Sequence, residues 1–277
     1  GIYAILIAVS AGAMIGRILS VDAIDRRAIQ EYRLSTRLAE HRKNLNAKGV
    51  EGESLDQAMA AEQARLRGLL RLERPFLSAN DRSRWCAVRA LVEEDMRVPG
   101  KPYAIDRVTV QPGWDTIDMV KHDGHLYSSK PPLLSTLMAG PYWIVHKLTG
   151  ATLETHPHAI GRFLLIATNV VGWVVMLVFV AAIAERLGTT DWGRLFVVAA
   201  ASFGTFLSTF GVTLNNHLFG AIGVTVALYA VMRIWMDSRR EARWFVLAGL
   251  FGAFAVTNEL PALSFLALIG LGLLVKA

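Results

Sequence analysis

The chain has 277 residues, of which 53% are hydrophobic and 19% charged, and its formal net charge is +6 at pH 7. Its single cysteine excludes an internal disulfide and a thiolate zinc cluster. Most charges lie in residues 21–130, whereas residues 131–277 are rich in Leu, Val, Ala, Phe and Gly. Arginines flank the apolar runs, and acids interleave with the basic residues of segment 22–74. We therefore interpret the positive charge as membrane-flanking and expect no nucleic-acid partner.

The apolar runs predict a membrane protein. A helix that crosses a bilayer needs about 20 mostly apolar residues, and about seven runs approach that length. These runs are 1–20, 132–147, 162–184, 194–211, 216–235, 243–260 and 262–276. The expected fold class is an α-helical polytopic membrane protein, with an extramembrane loop of helices and a β-hairpin after the first helix. Residues 131–277 would form the transmembrane bundle, which we expect to be truncated at its C-terminus because both chain ends lie inside apolar runs.

The first apolar run, residues 1–20, is predicted to be a transmembrane helix, and a charged extracytoplasmic loop follows over residues 21–130. Within this loop, residues 22–75 are rich in charged helix formers, with Gly49 and Gly52 near the middle. Because glycine interrupts a helix, this pattern predicts a helical hairpin. We interpret it as an insertion that serves as a spacer or packing element.

The rest of the loop is predicted to contain a juxtamembrane helix and a β-hairpin. The helix covers residues 78–98, since Ser78 or Asn80 can accept hydrogen bonds from the amides of its first turn. Residues 103–130 contain alternating segments, one of them at 103–108, and an Asp-Gly pair that favours a type I′ turn. A Lys-Pro-Pro motif ends the hairpin and leads into the next apolar run.

Polar residues at the ends of apolar runs are candidate site residues, because such groups are costly in a membrane. Asn215, Asn216 and His217 lie at the junction of two runs, and Glu259 lies near the end of another. The alternatives are hydrogen bonds between helices for the first three residues and a helix break at Glu259, which stands shortly before Pro261.

His122, Asp123 and His125 form a cluster of potential metal ligands, since imidazole and carboxylate groups suit zinc. A divalent metal at this cluster is the one cofactor that the sequence suggests, and no cofactor is certain. A hairpin turn with ordinary surface histidines is the favoured interpretation, because the Asp-Gly turn already accounts for Asp123.

Two motifs carry a resemblance to a known family. They are Asn-Asp-Arg-Ser-Arg-Trp at 80–85, with Arg-Ala-Leu-Val-Glu at 89–93, and Asp-Gly-His-Leu-Tyr-Ser-Ser-Lys-Pro-Pro-Leu-Leu at 123–134. The chain thereby resembles the GT-C glycosyltransferases, in the branch of protein mannosyltransferases and aminoarabinose transferases that use polyprenyl-phosphate sugars. The later apolar helices fit the family's N-terminal membrane module. The resemblance covers nearly the whole chain apart from residues 22–75.

The resemblance implies an inverting transfer of a sugar from a polyprenyl-phosphate donor to a lipid, glycan or protein acceptor. Asp81 matches the family's acid and would be the general base, and Lys130 matches the lysine that would neutralise the leaving phosphate. Arg84 would bind the same anion through two hydrogen bonds, or pair instead with Asp81 or Glu94. The alternatives are a first-turn anion for Asp81 and an interfacial cation for Lys130.

The sequence departs from the family pattern at several positions. Arg82 stands where the family usually has an acid, and Ser129 stands where an acid often precedes the lysine. Many members carry an aspartate at the start of a later helix, where this chain has residues 215–217. Arg82 and Tyr127, which lie within the two motifs, are further candidate site residues.

The enzyme and its non-catalytic alternative predict different positions for Asp81 and Lys130. An enzyme should have Asp81 and Lys130 in one cavity at the membrane surface. A non-catalytic membrane scaffold or transporter subunit with the same fold should keep them remote from each other and from any cavity. The expected localisation is the bacterial inner (cytoplasmic) membrane, in contact with membrane lipid and with the active face extracytoplasmic.

Seven simple crossings would put the basic residues at 239–243 on the same side as Lys130, against the positive-inside tendency. We therefore expect that one run does not cross. Residues 132–147 are the weakest candidate, being short and containing Pro141 and His146.

Overall fold

The computed structural model of the protein describes residues 1–20, 26–69, 75–76 and 78–276. The described chain is mostly helical. The helices are α1 (Ile2–Leu19), α2 (Arg26–Ala47), α3 (Glu53–Leu69), α4 (Ala79–Val92), α5 (Asp106–Thr109), α6 (Pro132–Thr149), α7 (Pro157–Leu165), α8 (Val171–Leu187), α9 (Asp191–Phe203), α10 (Leu207–Phe210), α11 (Asn216–Trp235), α12 (Ala242–Asn258) and α13 (Ala262–Lys276). Strands β1 (Met119–His122) and β2 (His125–Ser128) form an antiparallel pair.

Fewer helices than expected qualify as membrane spans. Within the described residues, four segments are long and apolar enough to cross a membrane, namely Ile2–Leu19, Pro157–Leu187, Asp191–Phe210 and Asn216–Trp235. The expectation of about seven spans is therefore wrong. The helices α12 and α13 are apolar but, at about 1.5 Å per residue, reach only ~26 and ~23 Å against a hydrocarbon core of ~30 Å. By the length and composition of its four long helices, the chain is an α-helical membrane protein.

The run at 132–147 is the weakest of the expected spans, and it forms α6. This helix is also not one of the four segments that are long and apolar enough to cross a membrane. α6 packs along α4, and Ser135 at its start donates a hydrogen bond to the carbonyl of Arg84 (3.3 Å). Further along, the hydroxyl of Tyr142 donates to the carboxylate of Glu93 (2.6 Å). Because α4 is rich in charged residues, a helix that covers its length needs polar groups, and these lower the hydropathy of α6.

The charged segment after α1 forms a pair of helices. α2 and α3 contact each other, and in the turn between them Gly49 and Gly52 adopt φ angles of 74° and 65°. Residues with a Cβ rarely adopt such angles, which accounts for the two glycines. The parts of the expected hairpin at 22–25 and 70–74 lie outside the described residues.

The β-hairpin turns at Asp123 and Gly124, whose φ angles of 48° and 80° fit a type I′ turn. The strand expected at 103–108 is wrong, because α5 begins at Asp106. The carboxylate of Asp106 accepts a hydrogen bond from the backbone N–H of Leu126 (3.1 Å), so this segment caps the hairpin and does not extend the sheet.

The juxtamembrane helix is shorter than the expected 78–98. α4 ends at Val92, and a 3₁₀ turn follows at Glu94–Met96. Between them, Glu93 has an extended backbone, and its buried carboxylate accepts hydrogen bonds from Arg89 (2.8 Å) and Tyr142. These contacts hold Glu93 outside the helix.

Polar contacts between helices join the apolar bundle. The indole N–H of Trp173 in α8 donates to the hydroxyl of Ser10 in α1 (2.9 Å), which donates in turn to the carbonyl of Ser202 in α9 (2.8 Å). All three residues are buried. In a membrane such hydrogen bonds, rather than apolar burial alone, specify which helices pair.

A π-helical turn at Ile166–Val170 between α7 and α8 positions the segment that precedes α11. It directs the buried side chain of Asn169 toward this segment, where its amide donates to the carbonyls of Gly211 (2.9 Å) and Thr213 (2.8 Å). The start of α11 is therefore fixed from the side of α8.

The bundle has two distinguishable ends. At one end, Arg186 of α8 forms an ion pair with Asp237, which also binds Arg233 (3.0 Å). At the other end, the segment before α11 contacts α4 through a hydrogen bond from Leu214 to Asp81. The loops around Thr190 and Ser238 thus belong to the first end, and the charged loop belongs to the second.

Single-cysteine labelling in sealed membranes tests this arrangement. We expect cysteines at Thr149 and Asp123 to react from one side and cysteines at Thr190 and Ser238 to react from the other, because α6 packs along α4 and is not one of the four long apolar segments. Labelling of the Thr149 position from the side opposite to Asp123 would show instead that α6 spans. The native Cys86 provides a silent background, since it is fully buried and burial raises its pKa to about 12, which leaves little reactive thiolate.

Candidate active site

Three distant segments bring polar side chains together at the second end of the bundle. The start of α4 contributes Asp81 and Arg84, the start of α11 contributes Asn216 and His217, and the residue after α12 contributes Glu259. We call these five residues the polar junction. All five are among the candidates that the sequence indicates.

Asp81 anchors the segment that leads into α11. Ser78 caps α4, and its hydroxyl accepts a hydrogen bond from the backbone N–H of Asp81 (3.1 Å). The Asp81 side chain is only 3% exposed, and its Oδ1 accepts hydrogen bonds from the Trp85 indole and from the backbone N–H of Leu214, both at 2.9 Å. Asp81 is thus a first-turn acid of α4 that also binds a second element.

Arg84 connects α4 with α11 and α12. Its side chain is buried, and Nε donates to Oδ1 of Asn216 (2.5 Å). The amide of Asn216 donates in turn to the backbone carbonyl of Asn258 (2.9 Å). Arg84 also donates to the carbonyl of Asn80 (3.1 Å) and to the side-chain oxygen of the same residue. No contact of Arg84 with Glu94 is seen among the described residues.

The charge of Arg84 lies in a buried environment that contains several acids. Burial lowers the pKa of the Arg84 guanidinium, and the carboxylates of Asp81, Glu259 and Asp118 oppose that effect. Because an arginine starts from a very high pKa, it remains protonated at neutral pH. The junction therefore contains a permanent cation next to carboxylates from α4, α12 and the hairpin.

His217 and Glu259 form a close pair at the surface of the junction. The Nδ1 of His217 lies 2.7 Å from Oε1 of Glu259, and their side chains are 51% and 30% exposed. Asn215 caps α11 by accepting a hydrogen bond from the backbone N–H of His217 (2.9 Å). At Gly220, one turn further, an added Cβ would lie 2.9 Å from the Glu259 side chain, so the glycine leaves room for the pair.

Lys130 lies at the end of the hairpin, between β2 and α6. Its ammonium group pairs with the carboxylate of Asp118 (2.9 Å), and the carbonyl of Asp118 accepts a hydrogen bond from Ser83 (2.5 Å). Beside it is a cavity of about 390 Å³. The cavity is lined by Ala87, Tyr103, Tyr127, Ser128, Lys130, Pro132 and Ser135. A cation, hydroxyls and aromatic rings in one concave site suit a phosphorylated sugar.

Asp81 lines a different and much smaller cavity, of about 20 Å³, whose other residues include His158 and Arg162. This volume holds about one water molecule and no sugar. Of these two cavities, one is lined by Asp81 and the other by Lys130. That both residues line one cavity stays a prediction.

The potential metal ligands of the hairpin do not converge. His122 lies 3.5 Å from Asp123, whereas His125 faces Asp106 at 3.4 Å. No group of three or more His, Cys, Asp or Glu side chains that could hold a metal ion is found in the part of the chain that the structure describes. The hairpin-turn interpretation accounts for these residues.

Arg82 lies in the same turn of α4 as Asp81 but points elsewhere. It is buried, and it donates hydrogen bonds to the backbone carbonyls of Asp115 (2.7 Å) and Pro75 (3.3 Å). These contacts attach α4 to the segments before and after it. Arg82, which stands where the resemblance leads us to expect an acid, thus has a structural role.

Sequence reasoning missed Asp118 and Asn169. A signal for Asp118 was present: counting pairs outward from the Asp-Gly turn puts it opposite Ser129, next to Lys130. No local signal marks Asn169, because its partners lie more than 40 residues away and depend on a π-helical turn.

Comparisons of the chain with protein-family models, with curated proteins and with solved structures give no significant match. A functional proposal therefore rests on the chemistry of the junction and on the motifs that form it.

Replacing Asp81 should distinguish its anchoring role from its charge. Asp81→Ala leaves the buried N–H groups of Trp85 and Leu214 without an acceptor, at about 1–3 kcal/mol each, whereas Asp81→Asn keeps an oxygen at Oδ1. We expect the alanine variant to melt well below the asparagine variant in detergent, as followed by tryptophan fluorescence. Asp191→Ala, at the exposed start of α9, is the matched control and should change little. Equal melting of both Asp81 variants would contradict the anchoring role.

Proposed function

We propose that the chain is the N-terminal membrane module of a GT-C type glycosyltransferase. It would transfer a sugar, with inversion, from a polyprenyl-phosphate donor to an extracytoplasmic lipid, glycan or protein acceptor. The strongest support is that the first resemblance motif, at the start of α4, contacts the polar start of α11. Through Asn216 it is connected to the polar end of α12, at the same end of the membrane helices. Polar side chains from distant segments gather in this way where an apolar fold carries a function.

The reaction needs a group that takes a proton and groups that stabilise an anion. The acceptor's oxygen bonds to the anomeric carbon, the bond from that carbon to the phosphate oxygen breaks, and its electrons leave with the polyprenyl phosphate. Cations lower the barrier by stabilising the charge on the leaving phosphate. We assign this role to Lys130 beside its cavity and to Arg84, since the carboxylate of Asp118 pairs with Lys130 and also acts on the charge of Arg84. The resemblance implies Asp81 as the group that takes the acceptor's proton.

The cavity beside Lys130 offers groups for recognising a sugar. Tyr103 and Tyr127 contribute aromatic faces and hydroxyls, and Ser128 adds a further hydroxyl. Such a mixture of apolar surface and a few polar groups orients a small ligand. Asp118 holds the lysine in place, and a bound phosphate would join this ion pair.

The distribution of basic residues supports an extracytoplasmic junction. Arg186, Arg194 and the basic residues at 239–243 lie near the end of the bundle opposite to the junction. The positive-inside rule favours the cytoplasm for that end. If α6 does not cross, as its absence from the four long apolar segments suggests, the conflict that seven crossings would create disappears. We propose the bacterial inner membrane as the location.

A non-catalytic scaffold or transporter subunit is the second candidate. It is favoured by one observation, the separate cavities of Asp81 and Lys130 among the described residues. A scaffold would use Asp81 and Arg84 only to join α4 to the bundle.

A transfer assay decides between the two. The full-length protein in native membranes is given radiolabelled polyprenyl-phosphate sugars, and label in the acceptor fraction is counted. We expect transfer by the wild type, and a loss of about 100-fold or more for Lys130→Gln, since charge stabilisation contributes at least that much.

Lys121→Gln is the matched control for the lysine, because Lys121 lies on the exposed strand β1 of the same hairpin. It should transfer at the wild-type rate. Absence of transfer by the wild type from every donor, or equal transfer by all variants, would favour the scaffold.

A further inference from the structure

The polar junction contains a proton acceptor that the family resemblance does not assign. His217 and Glu259 come from different helices, yet Nδ1 of the imidazole lies 2.7 Å from Oε1 of the carboxylate. When Glu259 is ionised and the imidazole is neutral, Nδ1 carries the proton in this contact and Nε2 is a proton acceptor. A carboxylate that fixes the tautomer and orientation of a histidine is the arrangement that prepares an imidazole for general base catalysis.

The surroundings hold the ring in place but leave it accessible. The Phe210 ring packs edge-on against the imidazole at 4.7 Å between centroids, and the cap by Asn215 fixes the backbone of His217. The side chain remains 51% exposed, and Nε2 makes no hydrogen bond among the described residues. An acceptor hydroxyl can therefore reach Nε2 directly.

Asp81, in contrast to His217, is not accessible to an acceptor. Its side chain is 3% exposed, its Oδ1 is already bound to Trp85 and Leu214, and it lines a cavity of about 20 Å³. An acceptor sugar or peptide does not fit that space. The residue that is better placed to meet an acceptor is the histidine three positions after Leu214.

Arg84 connects the pair to the site proposed for the donor. It binds Asn216, the neighbour of His217, and the carboxylates of Glu259 and Asp118 both act on its charge. Asp118 in turn pairs with Lys130. The imidazole, the two cations and the carboxylates thus form one connected set.

We infer that His217, oriented by Glu259, takes the proton of the acceptor. This inference rests on the proposed transfer reaction and changes only the residue that receives the proton. As the acceptor's oxygen bonds to the anomeric carbon, its proton passes to Nε2 of His217, and the electrons of the broken carbon–oxygen bond leave with the phosphate. Glu259 stabilises the resulting imidazolium and is a positioning residue, and Asp81 holds the segment that carries His217.

The test is sugar transfer by the full-length protein in membranes, with labelled polyprenyl-phosphate sugar and its acceptor. His217→Ala should lose about 100-fold or more in kcat, and added imidazole should restore part of the activity. His217→Asn keeps an N–H that can face Glu259 and should fold normally while remaining inactive. Glu259→Gln should lower kcat with little change in KM, and Glu259→Asp should recover part of the loss.

His156→Gln, at an exposed histidine before α7, is the matched control and should transfer at the wild-type rate. Wild-type rates for His217→Ala and His217→Asn, or a loss for His217→Ala that imidazole does not restore, would overturn the inference while leaving the proposed function intact. No transfer by the wild type would overturn the proposed function, and the inference with it.

Discussion

The hydrogen bond from the buried guanidinium of Arg84 to the side chain of Asn216 is the interaction on which the arrangement of this protein depends. It joins a charged helix outside the bundle to the start of a membrane helix, and Asn216 extends the connection to the end of α12 through Asn258. A buried cation without partners would be strongly unfavourable. The guanidinium of Arg84 therefore has its hydrogen-bond partner only when α11 is in this position against α4. The polar junction forms only in that position.

The need of buried charged groups for partners also explains how α4 positions the elements around it. Arg89, fully buried near its end, binds Glu93 and Glu154 and stacks over Trp114 at 4.3 Å. The charged residues of α4 bind groups in several segments outside the helix. α6 covers the remaining face and supplies Tyr142 to the same network. A helix committed to these contacts lies beside α4, at the end of the bundle where the charged loop and the junction are found.

Sequence patterns predicted local features and failed where distance in the chain was large. The type I′ turn at Asp123 follows from two residues, and the cap of α4 follows from a single side chain. The number of spans was overestimated because apolar runs of 15–18 residues resemble short membrane helices, and only packing against α4 separates α6 from them. The motifs indicated Asp81 and Arg84, and the polar ends of the apolar runs indicated His217 and Glu259, each individually. The contact of Arg84 with Asn216 joins segments more than 130 residues apart, and the periodicity of apolar residues does not encode such a contact.

The central claim is that the junction between α4 and α11 is where the donor reacts. Photocrosslinking with a polyprenyl-phosphate sugar that carries a diazirine on the sugar, followed by mass spectrometry of the crosslinked peptides, tests it most directly. We expect crosslinks in the segments at 78–87, 127–135 and 214–217, with loss of these crosslinks when unlabelled donor competes. Crosslinks confined to the opposite end of the bundle, near Arg194 and Ser238, would contradict the account.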